Sequence, residues 1–298
     1  MNRQQVLVFI DAMKTNFPVR TLCRVLGIGH STYYASAARG HGPTAAELAE
    51  AYRADAARDA WAEHRGVYGA RRLTAEIRSR GHTWNRKHVA RLMRLTSIEG
   101  AHRRRRGKYG KRSVTTATAP DLVERHFTAE APDRLWVADI TYLRIWEGFL
   151  YLAVVVDAFS RRIVGWAMAD HLRTELILDA VGMAIQRRRP EPGTIHHSDR
   201  GTQYTSYEFG KSLRASGLLA SMGRVGSAFD NAMAETTFAT LKTELVYRRA
   251  WASRHELEME VFSYIEGFYN SRRRHSRLDN LSPLDYEQRY LTQKQVSA

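Results

Sequence analysis

The feature that most constrains this chain is a change of period at Arg134. From there RLWVADITYLRI, GFLYLAVVVDAFS and RRIVGWAMAD follow one another almost without interruption. Apolar runs of strand length at such short spacing predict an antiparallel meander. The longest of them, Phe149 to Ala158, breaks only at Asp157 and reads as a buried strand. Helical period returns in TELILDAVGMAIQRRR, TIHHSD predicts a fourth strand, YEFGKSLRASG a helix and LLASM a short strand, and a long helix is expected from about Asn231 to Arg249. Strand-strand-strand-helix-strand-helix-strand-helix is a mixed α/β order.

Ahead of Arg134 the pattern is helical and basic. VLVFIDAMK, VRTLCRVLGI, a Gly27-Ile28-Gly29 turn and STYYAS, with Ser31 as the expected cap, outline a helix-turn-helix over residues 1–40. Gly40 to Pro43 break it, and a second such unit is expected over residues 44–98: GARRLTAEIRSR, the Arg80-Gly81-His82 turn, then NRKHVARLMRL behind an Asn85 cap. In its last helix Val89, Leu92 and Met93 share one face, which leaves Arg86, Lys87, Arg91 and Arg94 to project towards solvent or phosphate. Residues 99–127 read as a basic linker with Arg103, Arg104, Arg105 and Arg106, the α/β unit as residues 128–290, and residues 291–298 as a tail.

Charge points to the partner class. The 298 residues hold 46 Lys and Arg against 31 Asp and Glu, a formal charge of +15 that attracts polyanions in a salt-dependent way. The preference of Arg over Lys can simply reflect a GC-rich genome, which does not explain the net excess. Cys23 is the sole cysteine, which excludes an internal disulfide and a zinc site built on paired thiolates. No signal-peptide pattern and no apolar stretch of about 20 residues is present, so secretion and membrane insertion are not expected and a reducing cytoplasm fits.

Three acids stand in suggestive places: Asp139 mid-way along the first strand, Asp199 just after the fourth, and Glu235 in the first turns of the last helix. In-line cleavage or joining of a phosphodiester uses two divalent ions about 3.5–4 Å apart, and three carboxylates supply the hard oxygen ligands such ions prefer. His196 and His197 are poor candidates for the same reason. Asp157, closing a strand, and Asp230, before a helix whose N-terminal dipole favours a carboxylate, have ordinary structural readings.

The contexts are more specific than the acids. Trp136-Val137-Ala138-Asp139-Ile140-Thr141, His197-Ser198-Asp199-Arg200-Gly201-Thr202-Gln203-Tyr204 and Asp230-Asn231-Ala232-Met233-Ala234-Glu235, with 35 residues between Asp199 and Glu235, occur in this order. In them the chain resembles the retroviral-integrase-like transposases of bacterial insertion sequences, of the insertion-sequence-three family, in its second, catalytic reading frame. The resemblance covers nearly the whole chain. It implies a ribonuclease-H-like mixed five-stranded sheet with flanking helices, and Asp139, Asp199 and Glu235 as ligands of Mg²⁺ or Mn²⁺, two ions per site. It also implies cleavage and strand transfer of double-stranded DNA at terminal inverted repeats and target, through a circular intermediate.

Lys242, two helical turns beyond Glu235, is expected to contact a phosphate of the DNA end, as are Arg272, Arg274 and His275 in the segment that follows the catalytic helix. A homo-oligomer on DNA in the bacterial nucleoid is expected, because two ends must be paired. The catalytic frame of this family is often fused to the product of an upstream frame with a leucine zipper, and no zipper-like heptad run is evident here. The paired cysteines of the retroviral zinc-binding domain are also lacking. The competing reading is a catalytically silent DNA-binding regulator of transposition; a ribonuclease H acting on RNA–DNA hybrids would not need the two helical units.

Overall fold

A computed structural model describes residues 3–102, 119–123, 128–199, 201, 203–223 and 232–296. The expected contacts from Arg103 to Arg106, and Arg200, Thr202, Asp230 and Asn231, lie outside the described residues.

Three short helices open the chain, α1 (Arg3–Met13), α2 (Val19–Val25) and α3 (His30–Ala37). They close on Leu7, Ile10, Cys23 and Tyr33. Ser31 does not cap α3: the helix begins at His30 and Gly29 holds the cap position with no side-chain bond. In the second unit, α4 (Ala45–Glu63), α5 (Ala70–Ser79) and α6 (Arg86–Leu95) follow. Asn85 caps α6 as expected, accepting from the His88 amide at 2.9 Å. Val89, Leu92 and Met93 are buried, and Arg86, Lys87, Arg91 and Arg94 stand in solvent.

The α/β unit has strands β1 (Leu135–Ile145), β2 (Gly148–Asp157), β3 (Ile163–Ala169), β4 (Ile195–Ser198) and β5 (Leu219–Met222) in the order β3-β2-β1-β4-β5. The first three form the antiparallel meander, while β4 and β5 run parallel to β1. Two helices, α7 (Thr174–Arg188) and α8 (Tyr207–Ala215), make the crossovers. With its helices this is the ribonuclease-H-like arrangement.

Alternation along β1 sends Trp136 and Ala138 to one face, where they meet Ile177, Ala180 and Val181 of α7. A Cβ on Gly165 of β3 would lie 2.1 Å from the Ala180 carbonyl, so only glycine lets α7 sit this close to the sheet. Val137 and Leu143 point to the other face, against Phe238 and Leu241 of α9 (Ala232–Glu244) and Leu257 and Val261 of α10 (Arg254–Tyr264). The last expected helix stops early. After Glu244 the chain tightens into a 3₁₀ turn over Val246–Arg248, and the Trp251 indole takes the Val246 carbonyl at 2.9 Å. At the C-terminal end, α11 (Pro283–Val296) runs straight through the boundary expected at residue 290.

Candidate active site

The first two acids belong to adjacent parallel strands. Trp136 lies beside His196 and Val137 beside His197, where the pairing ends. Asp139, and Asp199 just past the end of β4, each come two residues after that last pair. The electrostatics of Tyr204 involve both acids. Tyr204 is fully enclosed, its hydroxyl has no hydrogen-bond partner among the described residues, and its pKa is raised well above the usual range, first by burial and then by the charges of Asp139 and Asp199.

Local structure aims each carboxylate. Asp139 is 4% exposed and its Oδ1 accepts from the Ile140 amide at 2.8 Å. Asp199 Oδ1 accepts from the Gly201 amide at 3.0 Å, and a Cβ at Gly201 would crowd that oxygen at 3.1 Å. Behind the loop, His197 Nδ1 and Ser221 Oγ lie 2.9 Å apart, and Ser221 Oγ also accepts from the Leu122 amide at 2.9 Å. His196 is buried with neither ring nitrogen partnered, and burial lowers its pKa to about 4, so it stays neutral.

Glu235 enters from the first turn of α9 and lines, with Asp139, an open cleft of about 1440 Å³. Lys242 lines it too. Its Nζ donates to Thr141 Oγ1 at 2.6 Å, and Thr141 shares a strand face with Asp139. Among the described residues the three carboxylates are not gathered into one metal-ligand set. Their chemistry, oxygen only and anionic, is that of a site for a hard divalent cation.

The C-terminal cations divide. Arg272 is exposed. Arg274 is spent within the protein, its guanidinium donating to Glu76 at 2.7 Å, the Asn280 carbonyl at 2.8 Å and Ser79 at 2.6 Å. His275 is not a cation: burial and then Arg273 push its pKa well below the usual histidine value, and its Nε2 lies 3.0 Å from Arg273 Nη1, which can only donate. Both therefore lose the phosphate role expected of them. Asp157 has the structural role expected. It accepts from the amides of Asp133 and Ser160, each at 2.8 Å, and burial pushes its pKa up to about 6.

Residues 129–228 and 235–291 match families described as integrase core domains, and residues 47–106 match one described as an HTH-like domain. The chain is 36% identical to the transposase for insertion sequence element IS629 of Shigella sonnei, with 96% of each chain covered. It is 35% identical to the transposase InsF for insertion sequence IS3A of Escherichia coli, covering 95% of this chain and 99% of that one. The HTLV-2 integrase catalytic core in complex with magnesium is 15% identical, with a TM-score of 0.41 over 53% of this chain and 98% of that one. A helix-turn-helix-like unit joined to an integrase core makes this protein a DNA transposase. It belongs to the IS3 family of insertion-sequence transposases.

Proposed function

We propose that Asp139, Asp199 and Glu235 are the catalytic carboxylates of a DDE-type polynucleotidyl transferase, holding two divalent ions, Mg²⁺ or Mn²⁺, for cleavage and strand transfer at insertion-sequence ends. The observation that carries this reading is that Asp139 and Asp199 each follow the last β1–β4 pair, Val137 beside His197, by two residues on adjacent parallel strands. When bound, the ions activate the attacking oxygen and stabilise the leaving one. Asp139, enclosed and steadied by the Ile140 amide, is the fixed member of the set, and Asp199 is steadied by Gly201. Glu235 lines the same cleft as Asp139 and would supply the third carboxylate to the ions. Lys242, held by Thr141, is placed to take a phosphate of the DNA end.

Duplex DNA engages the exposed face of α6 through Arg86, Lys87, Arg91 and Arg94, with Arg272 beside the core. Arg91 also pairs with Glu50, which orients it. Two ends have to be joined, so the working form is a homo-oligomer on DNA, fused to or paired with the upstream-frame product, in the nucleoid of a bacterial cell.

Asp199→Asn is the test. With a duplex carrying the element's end and Mg²⁺ or Mn²⁺, the variant is expected to bind as the wild type does and to show no cleavage or joining above a protein-free control. Strand transfer that persists in Asp199→Asn would overturn the assignment.

A further inference from the structure

The cleft that holds Asp139 and Glu235 extends past them along β1 to the β1–β2 turn at Trp146. β4 accompanies β1 only as far as Val137, so beyond Asp139 this side of β1 has no strand beside it among the described residues. Large aromatic rings stand in solvent here. Trp146 is 81% exposed, Tyr142 57% and Tyr247 54%, and all three line the cleft.

Exposed rings of this size are costly to leave in water unless a partner covers them. Part of Tyr142 is explained by the hairpin, since its ring meets Phe149 edge-on at 5.5 Å across the strands. Among the described residues nothing comparable covers Trp146, whose backbone amide is held by the Trp251 carbonyl at 3.2 Å while its indole is presented outward. Cations are interleaved with the rings: Lys242 Nζ lies 5.1 Å from the Tyr142 centroid, and Arg144, exposed, separates Tyr142 from Trp146 along the chain. Two other arginines of the cleft are engaged, Arg248 with the carbonyls of Arg65 and Gly66, and Arg249 with Glu256.

Alternating rings and cations are the chemistry of unpaired nucleic-acid strands, whose bases offer free faces to stack on; within a duplex those faces are hidden and only phosphates remain to be met. Tyr142, Arg144 and Trp146 alternate to the face of β1 opposite Asp139, and the cleft joins the two faces round the strand's free edge. We propose that this arm of the cleft binds a short unpaired DNA strand that passes round that edge to the carboxylates, its bases stacked on Trp146 and Tyr142 and its phosphates met by Lys242 and Arg144. The inference rests on the reading of the carboxylates as the site of strand chemistry and specifies the form of DNA presented to them.

Binding without chemistry separates the two. The full chain, in EDTA, is titrated against a labelled blunt duplex and the same duplex with a short unpaired 3′ overhang. The wild type is expected to prefer the overhang. Trp146→Ala should lose about tenfold in overhang affinity, the effect of one stacked base, with blunt-duplex affinity unchanged, while Trp146→Phe keeps most of the preference. Asp199→Asn should retain the preference in full, so a failure of the carboxylate assignment leaves this result standing. The platform is overturned if Trp146→Ala and Tyr142→Ala leave the preference intact, or if they weaken both DNAs equally.

Discussion

The first helical unit closes on four residues of its own, Leu7, Ile10, Cys23 and Tyr33. The second places Ala57, Ala60, Leu73, Ile77, Val89 and Leu92 in one continuous apolar cluster with Phe238 and Leu241 of α9 and Tyr264 and Phe268 beyond it. Polar contacts follow the same division. In the first unit Asp11, half-buried, gathers Lys14, Tyr33 and His41, and the Lys14 and Tyr33 hydrogen bonds hold its pKa down to about 2. In the second, Arg72 reaches Glu244 at 2.9 Å and Glu76 accepts from Arg274, so its links cross into the catalytic body. Two stretches with the same helix-turn-helix outline therefore differ in kind: one is a small module, the other a structural part of the catalytic unit. Because Glu244 ends the helix that begins near Glu235, the second unit bears directly on the placement of the site.

The largest effect should come from the joint itself. Glu244 is held by Arg273 through two bonds of 2.7 and 2.6 Å, by Tyr264 at 2.8 Å and by Arg72. Arg273 and Glu244 are only 2% and 5% exposed. Burial penalises both charges, but their mutual contacts outweigh it, raising the Arg273 pKa and lowering that of Glu244. Removing one partner of such a pair strands the other, at a cost of about 3–5 kcal/mol. Arg273→Ala is expected to destabilise α4–α6 and the catalytic core together while leaving α1–α3 unchanged, as read by amide hydrogen exchange. Exchange that rises only in the core would separate the second unit from it and break the comparison.

A smaller effect comes from the sheet, where a buried group is left unpaired rather than joined. His196 titrates near 4 in the folded protein because burial disfavours its charge, against 6.5 for an ordinary histidine. Below pH 6.5 the unfolded chain takes up a proton that the folded one refuses, so stability falls as pH drops from 6.5 towards 4. The loss reaches about 3 kcal/mol by pH 4. His64 and His275 are also depressed and add to the slope. Denaturant unfolding of His196→Phe across this range should show a shallower decline than the wild type. An unchanged slope would mean that His196 is not the neutral, enclosed group described.

Much of the sheet was legible because strand burial is written locally. Alternation and run length gave β1, β2 and β3, and the three motif contexts put Asp139, Asp199 and Glu235 on a strand, a loop and a helix, where they are found. What was not legible lies between distant segments. Arg274 reads as a phosphate contact until Glu76, 198 residues earlier in the chain, is seen to hold it. Tyr204 sits inside a motif yet gives no sign in sequence that its hydroxyl is enclosed without a hydrogen-bond partner among the described residues. Helix ends were missed for a related reason: whether α9 continues past Glu244 is decided by Trp251 capturing a carbonyl, which local propensity does not encode.

The smallest effect tests the boundary between the two units. Thr44 opens α4 with a capping box: its Oγ1 accepts from the Glu47 amide at 3.1 Å and the Glu47 carboxylate accepts from the Thr44 amide at 2.7 Å. Thr44→Ala should cost about 1 kcal/mol, lowering the Tm by about 2 °C. Since α4 is anchored further along at Ala57 and Ala60 in the shared cluster, the disturbance should stay in its first turn, with faster amide exchange at Glu47 and Leu48. Among the described residues the first unit reaches this boundary through contacts such as Gln4 donating to the His41 carbonyl at 3.0 Å. Exchange in α1–α3 should therefore not change. If it does, the cap couples the two units and the first is not a module on its own core.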